Sequence, residues 1–403
     1  MADSEREAPS ACKRLKQDTI FEKFKTDFKD LGRLKSAYKS LCFDRRNPLI
    51  AQEIISCNAA TGYGISFSRA SCETRPYTQE IYPFGSIFTD GIELLNDFFT
   101  KTDYVPDNMT FRLLLAKLIH FLMDEKSHAA IRKIQRTDVS ETELMIILAE
   151  HFFSRLSLSN TYSMDHFAKY KGNLLCKCGS CKPESLAANF DDTSIGNRDC
   201  WHGSLDILLG STESFIHVAS VEEELSPGEI APFEVKLKNV EERRFRSQTL
   251  AQVIAFSFLQ KASHPSLENF LIPCMAATKK ELKIYFYDCK YDILLESRGI
   301  PLLVEIPGSN SQPLNFEAII AAWLVLNYKY LCSGPFDSLL KAPKANFFKH
   351  AEPCLEIYEK ELLYQHVGEQ TTILDYGFLD ITKPKFVWPS NLSCKPVDSE
   401  NEY

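Results

Sequence analysis

Asp206, Glu234 and Lys236 are the residues of this chain whose types and spacing could carry metal-assisted hydrolysis. Asp206 stands in the apolar run "GSLDILLG", and Glu234 and Lys236 stand in "APFEVKLK". Both runs read as strands, whose side chains alternate between two faces. Phe233, Val235 and Leu237 then share one face, and Glu234, Lys236 and Lys238 the other. If the two strands pair, Asp206, Glu234 and Lys236 converge. Two carboxylates held close repel unless a cation lies between them, and hard oxygen ligands favour Mg²⁺ or Mn²⁺. A lysine beside such an ion can hold or deprotonate its bound water, while the metal steadies charge on a phosphate. The acid-x-Lys tripeptide is weak by itself, since it recurs at Asp27, Asp124, Glu281 and Asp288. Only the copy at Glu234 follows an apolar strand with a lone aspartate and precedes a glutamine-bearing helix.

In that order, "GSLDILL", "FEVK" and "SQTLAQVIAFSF" resemble the PD-(D/E)XK nuclease superfamily, closest to its exonuclease-type members. The resemblance covers about residues 140–300 and implies a restriction-endonuclease-like α/β core, a mixed central sheet flanked by helices. It implies that Asp206, on the second core strand, and Glu234, on the third, bind Mg²⁺ or Mn²⁺, with the Val235 carbonyl completing the shell. Lys236 would activate the water. Gln252, followed by Phe256 where the pattern has tyrosine, would be the helix glutamine, with Gln248 one turn earlier as second choice. A carboxylate on the preceding helix is also implied; Glu150 is preferred to Glu143, which a capping box can occupy. The chain departs from the pattern in having Leu205 where a proline often precedes the aspartate, and in a long connection from Asp206 to Glu234. The activity so implied is hydrolysis of nucleic acid, DNA first. The alternative is a nuclease fold that has lost catalysis and serves as a nucleic-acid-binding or protein-interaction module.

A second constellation is "CKCGSC", with Cys176, Cys178 and Cys181 in six residues. Three thiols so close, with Gly179 to turn the chain, can meet around one soft metal, and Cys200 or His202 could complete a tetrahedral Zn²⁺ site. Cys-x-Cys is not the usual knuckle spacing, so an iron–sulfur cluster or unliganded thiols stay open as alternatives.

The elements that must position these residues follow from periodicity. The N-terminal tail 1–17 reads as disordered. Helices are predicted over 18–41, 90–101 and 109–135, making 18–139 a mainly helical N-terminal region with a turn-rich break at "ATGYGIS". "SETELMIILAEHFFSRLSL" opens with a capping box, Ser140 and Glu143, and predicts a helix over 141–157. The nuclease-like core spans 140–305, with a Cys-rich loop at 170–202. After the two strands already named come a helix over 244–262 and strands in "NFLIPCMAAT", "ELKIYFYDC" and "YDILLES". Nearly continuous apolar runs are expected of strands covered on both faces. Residues 306–390 form a helix at 315–331 and an irregular extension packed on the core, and 391–403 a disordered tail.

Of the 403 residues, 44% are hydrophobic and 25% charged, which fits a globular chain. A formal net charge of −8 excludes a protein coated in nucleic-acid-binding charge but allows a local basic groove. "KLKNVEERRFRSQ", rich in lysine and arginine, is the candidate for one. No apolar run approaches the roughly 20 residues that cross a bilayer, and the polar first residues lack a secretory signal. The expectation is an intracellular chain, nuclear or cytoplasmic, with its 13 cysteines reduced and no membrane partner. Composition gives no oligomeric state.

Overall fold

The computed structural model describes residues 20–44, 46–134, 141–159, 162–165, 176, 178, 181, 188–211, 214–220, 232–305, 308 and 312–367, with backbone alone at 141–142, 188–189, 210–211, 214–220 and 232–242. The tails 1–17 and 391–403, Ser140 of the capping box and nearly half of the Cys-rich loop lie outside them.

Apolar strands and amphipathic helices build a mixed α/β structure. The strands are β1 (Pro48–Cys57), β2 (Ile65–Ser66), β3 (Cys72–Pro83), β4 (Tyr162–Asp165), β5 (Ala188–Asp191), β6 (Ser194–Gly196), β7 (Trp201–Ser204), β8 (Ile207–Ser211), β9 (Ser214–Ser220), β10 (Leu271–Ala277), β11 (Glu281–Asp288), β12 (Ile293–Ser297), β13 (Ile300–Pro301) and β14 (Leu363–Tyr364). The large sheet runs β3-β1-β12-β11-β10-β9-β8-β4-β5, with β13 beside β11; a small sheet runs β14-β6-β7-β2. β4, β8 and β9 are successively antiparallel, and β10 lies parallel to β9 after the helix Pro232–Ser263. A parallel neighbour needs such a crossover, because a hairpin cannot supply it.

Every residue of β10 and β12 is buried, as in strands covered on both faces. On β11, Tyr287 packs against Phe258 of the long helix, while Phe286, on the opposite face, meets Phe84 and Phe88. The apolar helix Phe316–Leu326 is capped by Asn315, whose side chain accepts from the Glu317 amide. Its Trp323 donates to the Leu114 carbonyl at 2.9 Å, tying it to the helix Met109–Leu122.

Several expectations hold: the helix starting at Glu141, the three strands β10–β12 and the helix Thr89–Thr100. Others are corrected. The helix expected over 18–41 is two, 20–27 and Leu31–Cys42. The one expected over 109–135 breaks at Asp124, whose carboxylate accepts from the amides of Lys126 and Ser127 and starts the helix Glu125–Ile134. The mainly helical region 18–139 also contributes β1 and β3, and β1 joins the large sheet through β12. The largest correction concerns "APFEVKLK". It is the start of the helix Pro232–Ser263 and not a strand. The strand that pairs with β8 is β9, "SFIHVAS". Glu234, Val235 and Lys236 therefore do not alternate across a sheet. Their side chains lie outside the described residues.

Candidate functional site

Two regions gather polar side chains in apolar surroundings. The first is built on the helix that begins at Glu141. Its regular turns end at Leu148, and Ala149–Phe153 form a wider π turn before Ser154–Leu156 resume the α form. A π turn admits one extra residue and re-aims the side chains on it, and such turns gather at functional sites. The Glu150 carbonyl is held by the Ser154 hydroxyl at 3.0 Å and Arg155 Nε at 3.1 Å. His151 is thereby aimed at the cysteines: its Nε2 lies 3.4 Å from Cys176 Sγ and 3.2 Å from Cys181 Sγ. With Cys178, the four ligand atoms all lie within 4.8 Å of one another, and the group could hold a metal ion.

The spacing fits one ion. With Zn–S near 2.3 Å and Zn–N near 2.0 Å, a tetrahedron puts sulfurs about 3.8 Å apart and sulfur and nitrogen about 3.5 Å apart. A multi-iron cluster sets its ligands farther apart, because irons and sulfides intervene. Burial pushes the Cys181 thiol up to about 11 and raises Cys176 further. Burial also holds His151 below its ordinary value, so its imidazole is neutral and ready to ligate. His151 Nδ1 is buried without a partner.

Glu150 faces this cluster's surroundings. It is buried and pairs with Arg155 at 2.8 Å, and the Tyr162 hydroxyl donates to its other oxygen at 3.4 Å. It sits in an ion pair with Arg155. The side chain that joins the three cysteines is His151, and neither Cys200 nor His202 belongs to the group. Cys200 is buried beside Tyr358, and His202 Nδ1 lies 3.0 Å from the Cys200 carbonyl. The signal that could have found His151 was local: a histidine one residue beyond Glu150, on the helix packed against the Cys-rich loop.

The second region surrounds Asp206. The expected strand over "GSLDILLG" is two strands: β7 belongs to the small sheet and β8 to the large one. Leu205 and Asp206 form the step between them. Leu205 is fixed by Thr193, whose hydroxyl donates to its carbonyl at 2.5 Å, and the Asp165 amide donates to the Asp206 carbonyl at 3.3 Å. Asp206 is half-buried, and it reaches Cys274 of β10, helping burial to raise that thiol. Gln252 is fully buried nearby; its Nε2 lies 3.5 Å from the Ser204 carbonyl and its Oε1 has no partner. Gln248 is half-buried, and Glu143 is buried.

An acid and a lysine do meet elsewhere on the sheet. Glu296 of β12 pairs with Arg246 of the long helix and, at 2.6 Å, with Lys283 of β11. Arg246 also donates to the Thr74 hydroxyl at 2.5 Å. Burial would raise Glu296, but Arg246 and Lys283 outweigh it and hold the carboxyl below its usual range. Lys283 belongs to the tripeptide Glu281-Leu282-Lys283, yet its partner comes from the next strand.

No helix among the described residues is long and apolar enough to cross a membrane. No family model matches the chain, and no curated protein or solved structure does either.

Proposed function

We propose that the chain is a non-cleaving, nucleic-acid-binding module on a nuclease-type core, stapled by Zn²⁺ at His151, Cys176, Cys178 and Cys181. The fold half of this reading rests on element order. A helix, β4, then after β5, β6 and β7 the strands β8 and β9, the helix Pro232–Ser263 and β10 come in this chain order, and β4, β8, β9 and β10 lie side by side. Asp206 precedes the second of these strands, where the resemblance puts its first metal-binding acid.

The single observation that carries the loss of catalysis is the third strand. It is β9, "SFIHVAS", which holds no acid and no lysine. Glu234 and Lys236 lie on a helix instead, so the pair that should bind Mg²⁺ and activate water is missing from the position that needs it. Nucleic acid is the favoured partner because exposed arginines persist on the long helix of an acidic chain, at Arg243 and Arg244. Zinc is the favoured ion because three cysteines and a histidine, three of the four buried and all within 4.8 Å of one another, are its structural ligand types.

The test pairs binding with cleavage. Labelled single- and double-stranded oligonucleotides should bind with salt-dependent affinity and stay intact with Mg²⁺ or Mn²⁺. Metal-dependent cleavage that Asp206→Ala abolishes would restore the nuclease reading. Absence of binding at low salt would end the binding reading. Elemental analysis should find one zinc per chain; iron in its place would overturn the zinc assignment.

A further inference from the structure

The turn-rich segment "ATGYGIS" plays no part in either polar region, yet it is held in one shape. Gly62 takes a left-handed φ of 76°, and the Thr61 hydroxyl donates to the Tyr63 carbonyl at 2.8 Å. A Cβ on Gly64 would lie 1.5 Å from the Arg198 carbonyl oxygen, so only glycine passes there. Beyond it, Ile65 pairs with Trp201 in β2 and β7. Asn58 closes the loop: its side chain accepts from the Ser71 amide at 2.8 Å and from Trp201 Nε1 at 2.9 Å, and donates to the Arg69 carbonyl at 3.1 Å.

This fixed loop holds Tyr63 out in solvent, 66% exposed, the most exposed large hydrophobic side chain among the described residues. The next turn, Phe67–Arg69, buries Phe67 and leaves Arg69 exposed. Arg244 crosses that turn, its Nε donating to the Ser68 carbonyl at 3.1 Å, with exposed Arg243 beside it in sequence. Among the described residues, none of these three arginines is in an ion pair. Exposed Arg69, Arg244 laid across its turn and Arg243 next to it in the helix thus accompany the fixed loop that holds Tyr63 in solvent, in a chain whose net charge is −8.

We propose that this surface is a platform for single-stranded nucleic acid, with a base stacked on Tyr63 and phosphates held by Arg69, Arg243 and Arg244. The inference rests on the nucleic-acid-binding reading above and names the strand type and the contacts. An unpaired base offers a π-face that a duplex hides, and stacking of this kind tolerates any sequence. The arginines supply charge that follows the backbone and carries no sequence information.

Fluorescence anisotropy with a labelled oligo-dT and a duplex of equal length tests it, using the full zinc-loaded chain. Expected are tighter binding of the single strand, loss of about tenfold in affinity for Tyr63→Ala, and affinity within about twofold for Tyr63→Phe. Arg69→Ala combined with Arg243→Ala should lower the slope of log K against log salt by about 1.4, since each lost contact on a single strand removes about 0.7. All these side chains are exposed, so an unchanged melting temperature verifies the fold. If the wild-type chain binds and Tyr63→Ala binds equally well, the platform is wrong and the wider reading stands. If the wild-type chain binds no nucleic acid, both fall.

Discussion

The thiol–imidazole cluster and the Asp206 step differ in how their parts are brought together. Three of the cluster's ligands lie within six residues, so a short loop can gather them whatever the sheet does. Only His151 must come from elsewhere, and a π turn in the neighbouring helix delivers it. Asp206 needs a partner from another strand, and which residue that is depends on strand identity. Since "FEVK" is helical and β9 takes the strand position, the partner the sequence suggests is not on the sheet. Sites written in local spacing survive an error in secondary structure. Sites written in strand pairing do not, because a segment moved from strand to helix takes its whole face with it.

The sharpest way to break this comparison is to challenge the proposed zinc with a chelator. Structural zinc contributes its binding free energy to folding, and in small zinc domains that amounts to about 10 kcal/mol or more. Here the cluster joins the helix starting at Glu141 to the segment between β4 and β5. A strong chelator should lower the melting temperature by about 10 °C, restored by added Zn²⁺. Cys176→Ser should reproduce the fall and reduce zinc to well below one per chain. A chelated chain that melts at the same temperature would make the cluster four unliganded side chains.

Next in size comes the acid–lysine meeting that does occur. Glu296, Arg246 and Lys283 come from β12, the long helix and β11, and no motif announces them. Much of the fold was legible without such knowledge. Long apolar runs gave β10, β11 and β12, and the periodicity of "ETELMIILAEHFF" gave its helix. What stayed hidden depends on tertiary context. Asp124 breaks a helical pattern by capping from within it, and "GSLDILLG" divides between two sheets, with Thr193 fixing Leu205 at the step. "FEVKLK" has the alternation of a strand but becomes the start of a 32-residue helix. Glu296→Gln leaves Arg246 and Lys283 partly buried without their anion and should cost about 3 kcal/mol in denaturant unfolding. A cost within about 0.5 kcal/mol would mean that the two cations find water instead.

The same triad gives an acid limb to stability, smaller because it is graded. Glu296 is held below its ordinary value in the folded chain, so its contribution is full above its unfolded value, near 4.5. The contribution is lost as pH falls through the lower folded value. Unfolding free energy of the wild type should therefore drop more steeply below about pH 4.5 than that of Glu296→Gln. Parallel curves for the two proteins would show that other carboxylates carry the acid limb.

The smallest effect is expected where a catalytic reading would place a large one. Gln252 is fully buried beside the Asp206 step, yet its Oε1 has no partner and its Nε2 reaches the Ser204 carbonyl only at 3.5 Å. Such a bond is at the limit of useful geometry, and a buried amide with an unsatisfied oxygen adds little to stability. Methionine has nearly the same length and shape and needs no partner, so Gln252→Met should change unfolding free energy by less than about 1 kcal/mol. It should also leave oligonucleotide affinity within about twofold. If affinity or any metal-dependent cleavage collapses while the fold stays intact, the amide oxygen has a partner that arrives with the nucleic acid. The Asp206 step would then be a working site, and the contrast with the thiol cluster would narrow to which ion each one holds.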